Sequence, residues 1–277
     1  MTSPYADLDR PPLHAQALER AIVVPGGLWT ELRVVAETGS TNADLAERAR
    51  GGAAEGTVLV AERQTAGRGR LGRVWQSPPR AGIAASVLLR PADVPPARHG
   101  WLPLLAGVAL VEAVRRVSEV DAYLKWPNDL LLPGDRKCGG ILAEAVGGAV
   151  VLGIGLNTSL RESELPRPDA TSLALAGATS FDRGPLLRQL LRSMSVWYGR
   201  WRTAGGDPIA SGLREAYAFH CGTLGHRVRV ELPGGETLEG VAAEVDQDGR
   251  LMLTLPAGRR AVAAGDVVHL RVSHRWR

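Results

Sequence analysis

Cysteine is scarce in this chain. Its two copies, Cys138 and Cys221, lie far apart and fit neither a disulfide framework nor a metal-ligand spacing. The six histidines are scattered with no cysteine cluster beside them, which argues against a structural zinc site. Long apolar runs are missing too. None approaches the roughly 18 residues of a membrane span, and the first twenty residues, with Asp7, Asp9, Arg10, Pro11 and Pro12, hold no signal-peptide core. A reducing, cytoplasmic location without a membrane partner is therefore expected. An excess of one charge is also lacking: 33 basic residues face 29 acidic ones, for a net charge of +4, so charge does not argue for nucleic acid. No Walker sequence is present, which excludes a P-loop. No Ser/His/Asp or Cys/His set stands at a telling spacing, so a covalent enzyme intermediate finds no support.

What is there is a chain of 277 residues, 45% hydrophobic and 22% charged, enough for one large domain and a small one. A polar lead-in with a short helix around Leu13–Ile22 is followed by a strand at Leu32–Ala36 and a helix after Thr41-Asn42, either of which can cap it. Thr57–Ala61 and Gly82–Leu89 read as buried strands, and the spacing from Trp101 to Val117 predicts a core helix. Strands follow at Tyr123–Lys125, Asp129–Leu132, from Arg136 and at Ala149–Asn157; a short helix is expected at Thr171–Ala176 and a long one at Leu186–Trp201. Composition changes near Cys221-Gly222-Thr223. Beyond it, short strands punctuated by turns, ending with Val267–Val272, indicate a small β-barrel.

The sequence is organised around Gly67-Arg68-Gly69-Arg70-Leu71-Gly72-Arg73, where three glycines and three arginines fall within seven residues after a buried strand. Glycine lets backbone approach a ligand closely, and arginine brings a permanent charge with a planar fork of donors. Such a loop is suited to clamping an anion. Its Gly-x-Gly-x-x-Gly spacing imitates a dinucleotide-binding fingerprint, which needs a helix on the third glycine. Val74-Trp75-Gln76-Ser77-Pro78-Pro79 follows instead, and the paired prolines forbid one. Lys125 and Lys137 add cations beside a Pro127-Asn128-Asp129 turn and a Gly139-Gly140 pair. Several strands ending in glycine, cation or amide suggest one shared pocket for an anion larger than a carboxylate. Chemistry run by positioning and charge stabilisation is then expected, as when an acid attacks the α-phosphate of ATP.

Gly39-Ser40-Thr41-Asn42, Gln64-xx-Gly67-Arg68-Gly69-Arg70-Leu71-Gly72-Arg73-x-Trp75, Lys125-Trp126-Pro127-Asn128-Asp129, Arg136-Lys137-x-Gly139-Gly140 and Gly153-Ile154-Gly155-Leu156-Asn157 occur in that order. Together they closely resemble the biotin–protein ligase family, from about residue 30 to the end. The resemblance implies an α+β fold: a class II aminoacyl-tRNA synthetase-like catalytic domain, a mixed sheet backed by helices, with a C-terminal SH3-like β-barrel. It divides the chain into a lead-in (1–29), a catalytic biotin/ATP-binding domain (30–222) and the SH3-like domain (223–277). It implies ATP and Mg2+ as cofactors, biotin as substrate, biotinyl-5′-AMP as intermediate, and a biotin carboxyl carrier protein domain as acceptor, docked at an exposed sheet edge. The oligomeric state stays open between monomer and homodimer.

Residue by residue, the resemblance implies that Ser40, Thr41 and Asn42 begin the biotin site and that Gln64 is a further contact. Arg68, Gly69 and Arg70 would close over biotin and the adenylate, and Lys137, near Gly139 and Gly140, would lie beside the biotin carboxylate. Lys125 and Asp129 would serve phosphate or metal contacts, Asp129 through Mg2+. Asn157 would be an ATP-side amide, and Trp75 would support loop and nucleotide pocket. Residues 1–29 are too short for a winged helix, so a repressor function is not expected. Leu71 and Cys138 depart from some members. The rivals are a lipoate–protein ligase, opposed by the Trp-Pro-Asn-Asp turn, and a nucleic-acid-binding regulator, opposed by arginines set between glycines instead of along a helix.

Overall fold

The computed structural model describes residues 10–270. In chain order it contains helix α1 (Ala15–Ile22), strand β1 (Glu31–Val35), α2 (Thr41–Arg50), β2 (Thr57–Ala61), β3 (Gly82–Leu89) and α3 (Trp101–Ser118). Then come β4 (Tyr123–Lys125), β5 (Asp129–Leu132), β6 (Arg136–Val146), β7 (Ala149–Asn157), α4 (Arg183–Thr203) and α5 (Leu213–His220). The last five strands are β8 (Arg227–Glu231), β9 (Thr237–Val245), β10 (Leu251–Leu255), β11 (Gly258–Val262) and β12 (Asp266–His269).

Seven strands make a mixed sheet in the order β1-β2-β3-β7-β6-β5-β4, parallel only between β1 and β2. Side chains alternate across a strand, so neighbouring residues feed different layers. Leu88 and Val151 pack with Leu45, Ala46 and Ala49 of α2, whereas Val87, Leu89, Val150 and Leu152 join α3 and α4. Helix α3 is apolar nearly all round, with 13 of its 18 residues buried, which makes it the central pillar of the second layer. On the α2 side the strands carry small residues where the sheet must stay open: Ala84, Gly140, Gly153 and Gly155.

The second sheet is antiparallel, ordered β11-β10-β9-β8-β12, and it buries Val228, Val230, Leu251 and Leu253. Two tryptophans tie it to the first. Trp101 Nε1 donates to the carbonyls of Asp246 (3.1 Å) and Gln247 (3.0 Å), and Trp126 N donates to Thr223 Oγ1 at 3.0 Å. Both indoles are almost wholly buried. The Asp248-Gly249 turn lies so close to Gly100 that a Cβ at 249 would stand 2.7 Å from the Gly100 carbonyl carbon.

Two local expectations are corrected. Thr171–Ala176 forms turns instead of a helix, because its donors are already engaged: Leu173 N donates to Asn157 O and Ala174 N to Thr158 O. The cap of α2 is Ser40, whose Oγ accepts from Ala43 N, and not Thr41 or Asn42. From Arg10 onward the lead-in is anchored: Arg10 Nη2 donates to Ser159 O at 2.7 Å and pairs with Glu164, while buried Arg183 and Glu62 hold Pro11 O and Leu13 N. The expected last strand ends at His269, and residues 271 and 272 lie outside the described residues.

Candidate active site

Between α2, the sheet and the glycine–arginine loop lies a cavity of about 290 Å³. Its deep end is polar. Gln64 Oε1 accepts from Thr41 N (2.8 Å) and lies 3.0 Å from Thr41 Oγ1. A backbone N–H can only donate, so this bond fixes the amide orientation and leaves Gln64 Nε2 for a ligand acceptor. Asn42 Nδ2 donates to Glu144 Oε2 at 2.7 Å, and a Cβ on Gly153 would collide with Asn42 Oδ1.

The loop forms the opposite wall. It folds back as a tight hairpin: Trp75 N donates to Gly67 O at 2.9 Å, Gly69 N to Arg73 O at 2.7 Å, and Arg68 pairs with Val74. Leu71 (φ 55°) and Gly72 (φ 74°) take left-handed backbone at the tip, and no helix starts on the third glycine. The Trp75 indole then lies across β6 and β7. A Cβ on Gly155 would stand 2.5 Å from its Cε2, and one on Gly140 would stand 3.4 Å from Cζ3. Glycine is thus required at 155 by the ring above it.

Cations converge on the cavity from the hairpin and from β6. Arg70 Nη1 donates to Asn128 Oδ1 at 3.0 Å, and burial, partly offset by Asp129, holds its guanidinium below the usual arginine range. Arg73 pairs with Asp266 at the start of β12, so the second sheet supplies part of the wall. Arg68 is exposed on the rim and has no ion-pair partner among the described residues. Lys137 Nζ donates to Asp129 Oδ1 at 2.5 Å, both side chains being largely buried. Asn157 also lines the cavity, its Nδ2 donating to Thr171 O at 2.9 Å.

Two of the residues named from sequence fall off the wall. Lys125 sits on the edge strand β4 opposite Asp129 and does not line the cavity; burial, opposed chiefly by Asp129, pulls its pKa down. Gly139 faces the other side of the sheet, where a Cβ would meet Leu110 and Leu130. Period-two alternation puts 139 and 140 on opposite faces, so only Gly140 reaches the cavity. Among the described residues no three His, Cys, Asp or Glu side chains gather to hold a metal.

Comparison with known proteins matches residues 35–159 to the Biotin/lipoate A/B protein ligase family and residues 223–270 to the Biotin protein ligase C terminal domain. A biotin–[acetyl-CoA-carboxylase] ligase of Mycobacterium tuberculosis is 46% identical over 95% of this chain and 97% of that protein. This chain belongs to the biotin–protein ligase family. A bifunctional ligase/repressor of Bacillus subtilis is 35% identical over 82% of this chain and 70% of its own length. Among solved structures, the biotin protein ligase from Aquifex aeolicus in complex with biotin and ATP superposes with a TM-score of 0.72 at 28% identity, covering 88% of this chain and all of that one.

Seen as a biotin–protein ligase fold, the cavity includes residues that sequence reasoning passed over. Arg167, paired with Asp169 in the loop after β7, reaches the rim. Asp266 arrives from the second sheet, nearly two hundred positions from its partner Arg73. Ser86 is fully buried beneath Thr41 and Asn42, in a strand that otherwise reads as apolar. No helix among the described residues is long and apolar enough to cross a membrane.

Proposed function

We propose that the protein joins biotin to one lysine of a biotin carboxyl carrier domain of acetyl-CoA carboxylase, using ATP. In the first step a biotin carboxylate oxygen attacks the α-phosphorus and the bond to pyrophosphate breaks, giving biotinyl-5′-AMP. In the second, the neutral ε-amine of the acceptor attacks the acyl carbon, the bond to AMP breaks, and an amide remains. The observation that carries this reading is the cavity itself, which has neutral donors and acceptors at one end and cations at the other.

Gln64, Thr41 and Ser40 suit a cyclic urea, whose carbonyl accepts and whose nitrogens donate. Lys137, steadied by Asp129, stands where a carboxylate needs a counter-charge before it can approach a phosphate. Arg68 and Arg70 cover the reacting groups and shield the mixed anhydride from water, with Asn128 holding Arg70 in place. Trp75 and Asn157 are assigned to the nucleotide side. Lys125 acts from behind, through the field it shares with Asp129 and Lys137. Among the described residues only Asp129 and Asp266 bring carboxylates to the wall, each paired with a cation, so the residues suit a metal carried in by nucleotide phosphates. Mg2+ bound there would neutralise phosphate charge, with Asp129 as its protein contact. Both cysteines are buried and unpaired, which suits a cytoplasmic enzyme.

Calorimetry with biotin, then ATP, followed by labelling of a purified carrier domain, tests the proposal. Biotin binding, pyrophosphate release and a labelled carrier are expected, and Lys137→Ala should abolish pyrophosphate release. Failure to bind biotin would end the reading. Normal release by the Lys137 variant would remove that residue from the chemistry.

A further inference from the structure

Ser86 has no solvent exposure and sits between Ala85 and Val87 in the middle of β3. Its Oγ lies 2.7 Å from Thr41 Oγ1 and 2.6 Å from Asn42 Oδ1. Two anchors set the hydrogen directions around it. Asn42 Nδ2 donates to Glu144 Oε2 at 2.7 Å and points to Leu142 O at 3.4 Å, so the atom facing Ser86 is the amide oxygen, which only accepts. Ser86 must therefore give its one hydrogen to Asn42. A contact of 2.7 Å between two hydroxyl oxygens requires a hydrogen, and Ser86 has none left, so Thr41 supplies it. Gln64 Oε1 keeps the Thr41 N–H at 2.8 Å, and its 3.0 Å approach to Thr41 Oγ1 is the longer contact that goes without. The hydrogens then run one way, Thr41 to Ser86 to Asn42 to Glu144, ending on a carboxylate. Gly153 closes the path from below, since any Cβ there would collide with Asn42 Oδ1.

We propose that Ser86 and Glu144 are positioning residues that hold Thr41 as a hydrogen-bond acceptor toward the cavity and so select a ligand presenting an N–H at that point. On the reading of the site given above, on which this rests, that group is one N–H of the biotin ureido ring. With its hydrogen committed inward, Thr41 offers only lone pairs to the ligand. If the order is lost, the hydroxyl is free to turn its hydrogen either to Gln64 Oε1, 3.0 Å away, or outward, and in the outward rotamer two donors face each other.

The test is calorimetry of the full chain with biotin and with biotin methylated on one or the other ureido nitrogen, alongside steady-state kinetics. Ser86→Ala is expected to weaken biotin roughly tenfold, the size of one lost hydrogen bond. The loss should fall on KM for biotin and not on kcat or KM for ATP. The preference for biotin over one methylated analogue should shrink, because that analogue has no N–H for Thr41 to accept. Glu144→Ala, at a half-buried position, should shift the same ratio, and Glu144→Gln, which keeps an acceptor oxygen, should restore it. Unchanged biotin affinity in both truncations, or equal losses for biotin and both methylated analogues, would overturn the proposal. Wild-type protein that bound none of the three would instead remove the functional reading beneath it.

Discussion

Gly155 and Trp75 illustrate how one residue's identity is set by another's bulk. Gly155→Ala would drive a methyl into the indole, and overpacking of this kind costs about 1–3 kcal/mol. The penalty should nearly vanish in a Trp75→Ala background, measured as a double-mutant cycle by urea unfolding; an additive result would mean the ring is not the obstacle. His269 supplies a pH prediction at the same scale. Burial, together with Lys125 and His226 and against a pull from Asp135, holds its imidazole below the usual histidine range. Thr223 Oγ1, which accepts from Trp126 N, lies 3.1 Å from His269 Nε2. The unfolded chain therefore binds the extra proton first, and stability falls as pH drops below the ordinary histidine value of about 6.5. Above that value the group has no effect. His269→Gln should flatten part of this acid slope; His220, also lowered by burial, contributes to the same slope. An identical slope in the variant would count against it.

At the scale of the element, the glycine–arginine hairpin is held shut by a soft catch. The Arg73–Asp266 pair is largely open to water, with side chains 52% and 29% exposed, and such pairs contribute about 0.2–1 kcal/mol. Asp266→Asn should therefore speed release of the adenylate only about two- to fivefold in a chase experiment. Arg68→Ala should also speed it and loosen the choice of acceptor; unchanged retention would argue that the loop does not confine the intermediate. The hairpin itself was legible because its cause is local: glycines, arginines and a proline pair in one short run. So were β2, β3 and α3, whose apolar runs have no other use. Asp266 was not, because a contact spanning most of the chain leaves no pattern at either end. Ser86 was hidden for another reason, since a single hydroxyl among valines, leucines and alanines looks incidental until its neighbours are placed. The segment Thr171–Ala176 misled because its backbone donors are claimed by β7, a tertiary fact with no trace in propensity.

Across the whole molecule, the two sheets behave as one folding unit. Trp101 and Trp126 are buried at their junction, and large apolar side chains contribute about 1.5–3 kcal/mol each on full burial. Against a typical domain stability of about 5–15 kcal/mol, that is a large share. A fragment ending at residue 222 should unfold or aggregate, and the intact chain should melt in a single transition by both calorimetry and tryptophan fluorescence. Two separate transitions would show the sheets to be independent. The outer sheet also meets the cavity wall twice, gripping the glycine–arginine hairpin through Gly265 and Asp266 and bracing the Pro127-Asn128-Asp129 turn beneath Trp126 through Thr223 and Gly249. Any protein that takes hold of β12 would thus pull on roof and foundation together, and the time for which the activated vitamin is kept would be adjustable from outside without touching the chemistry.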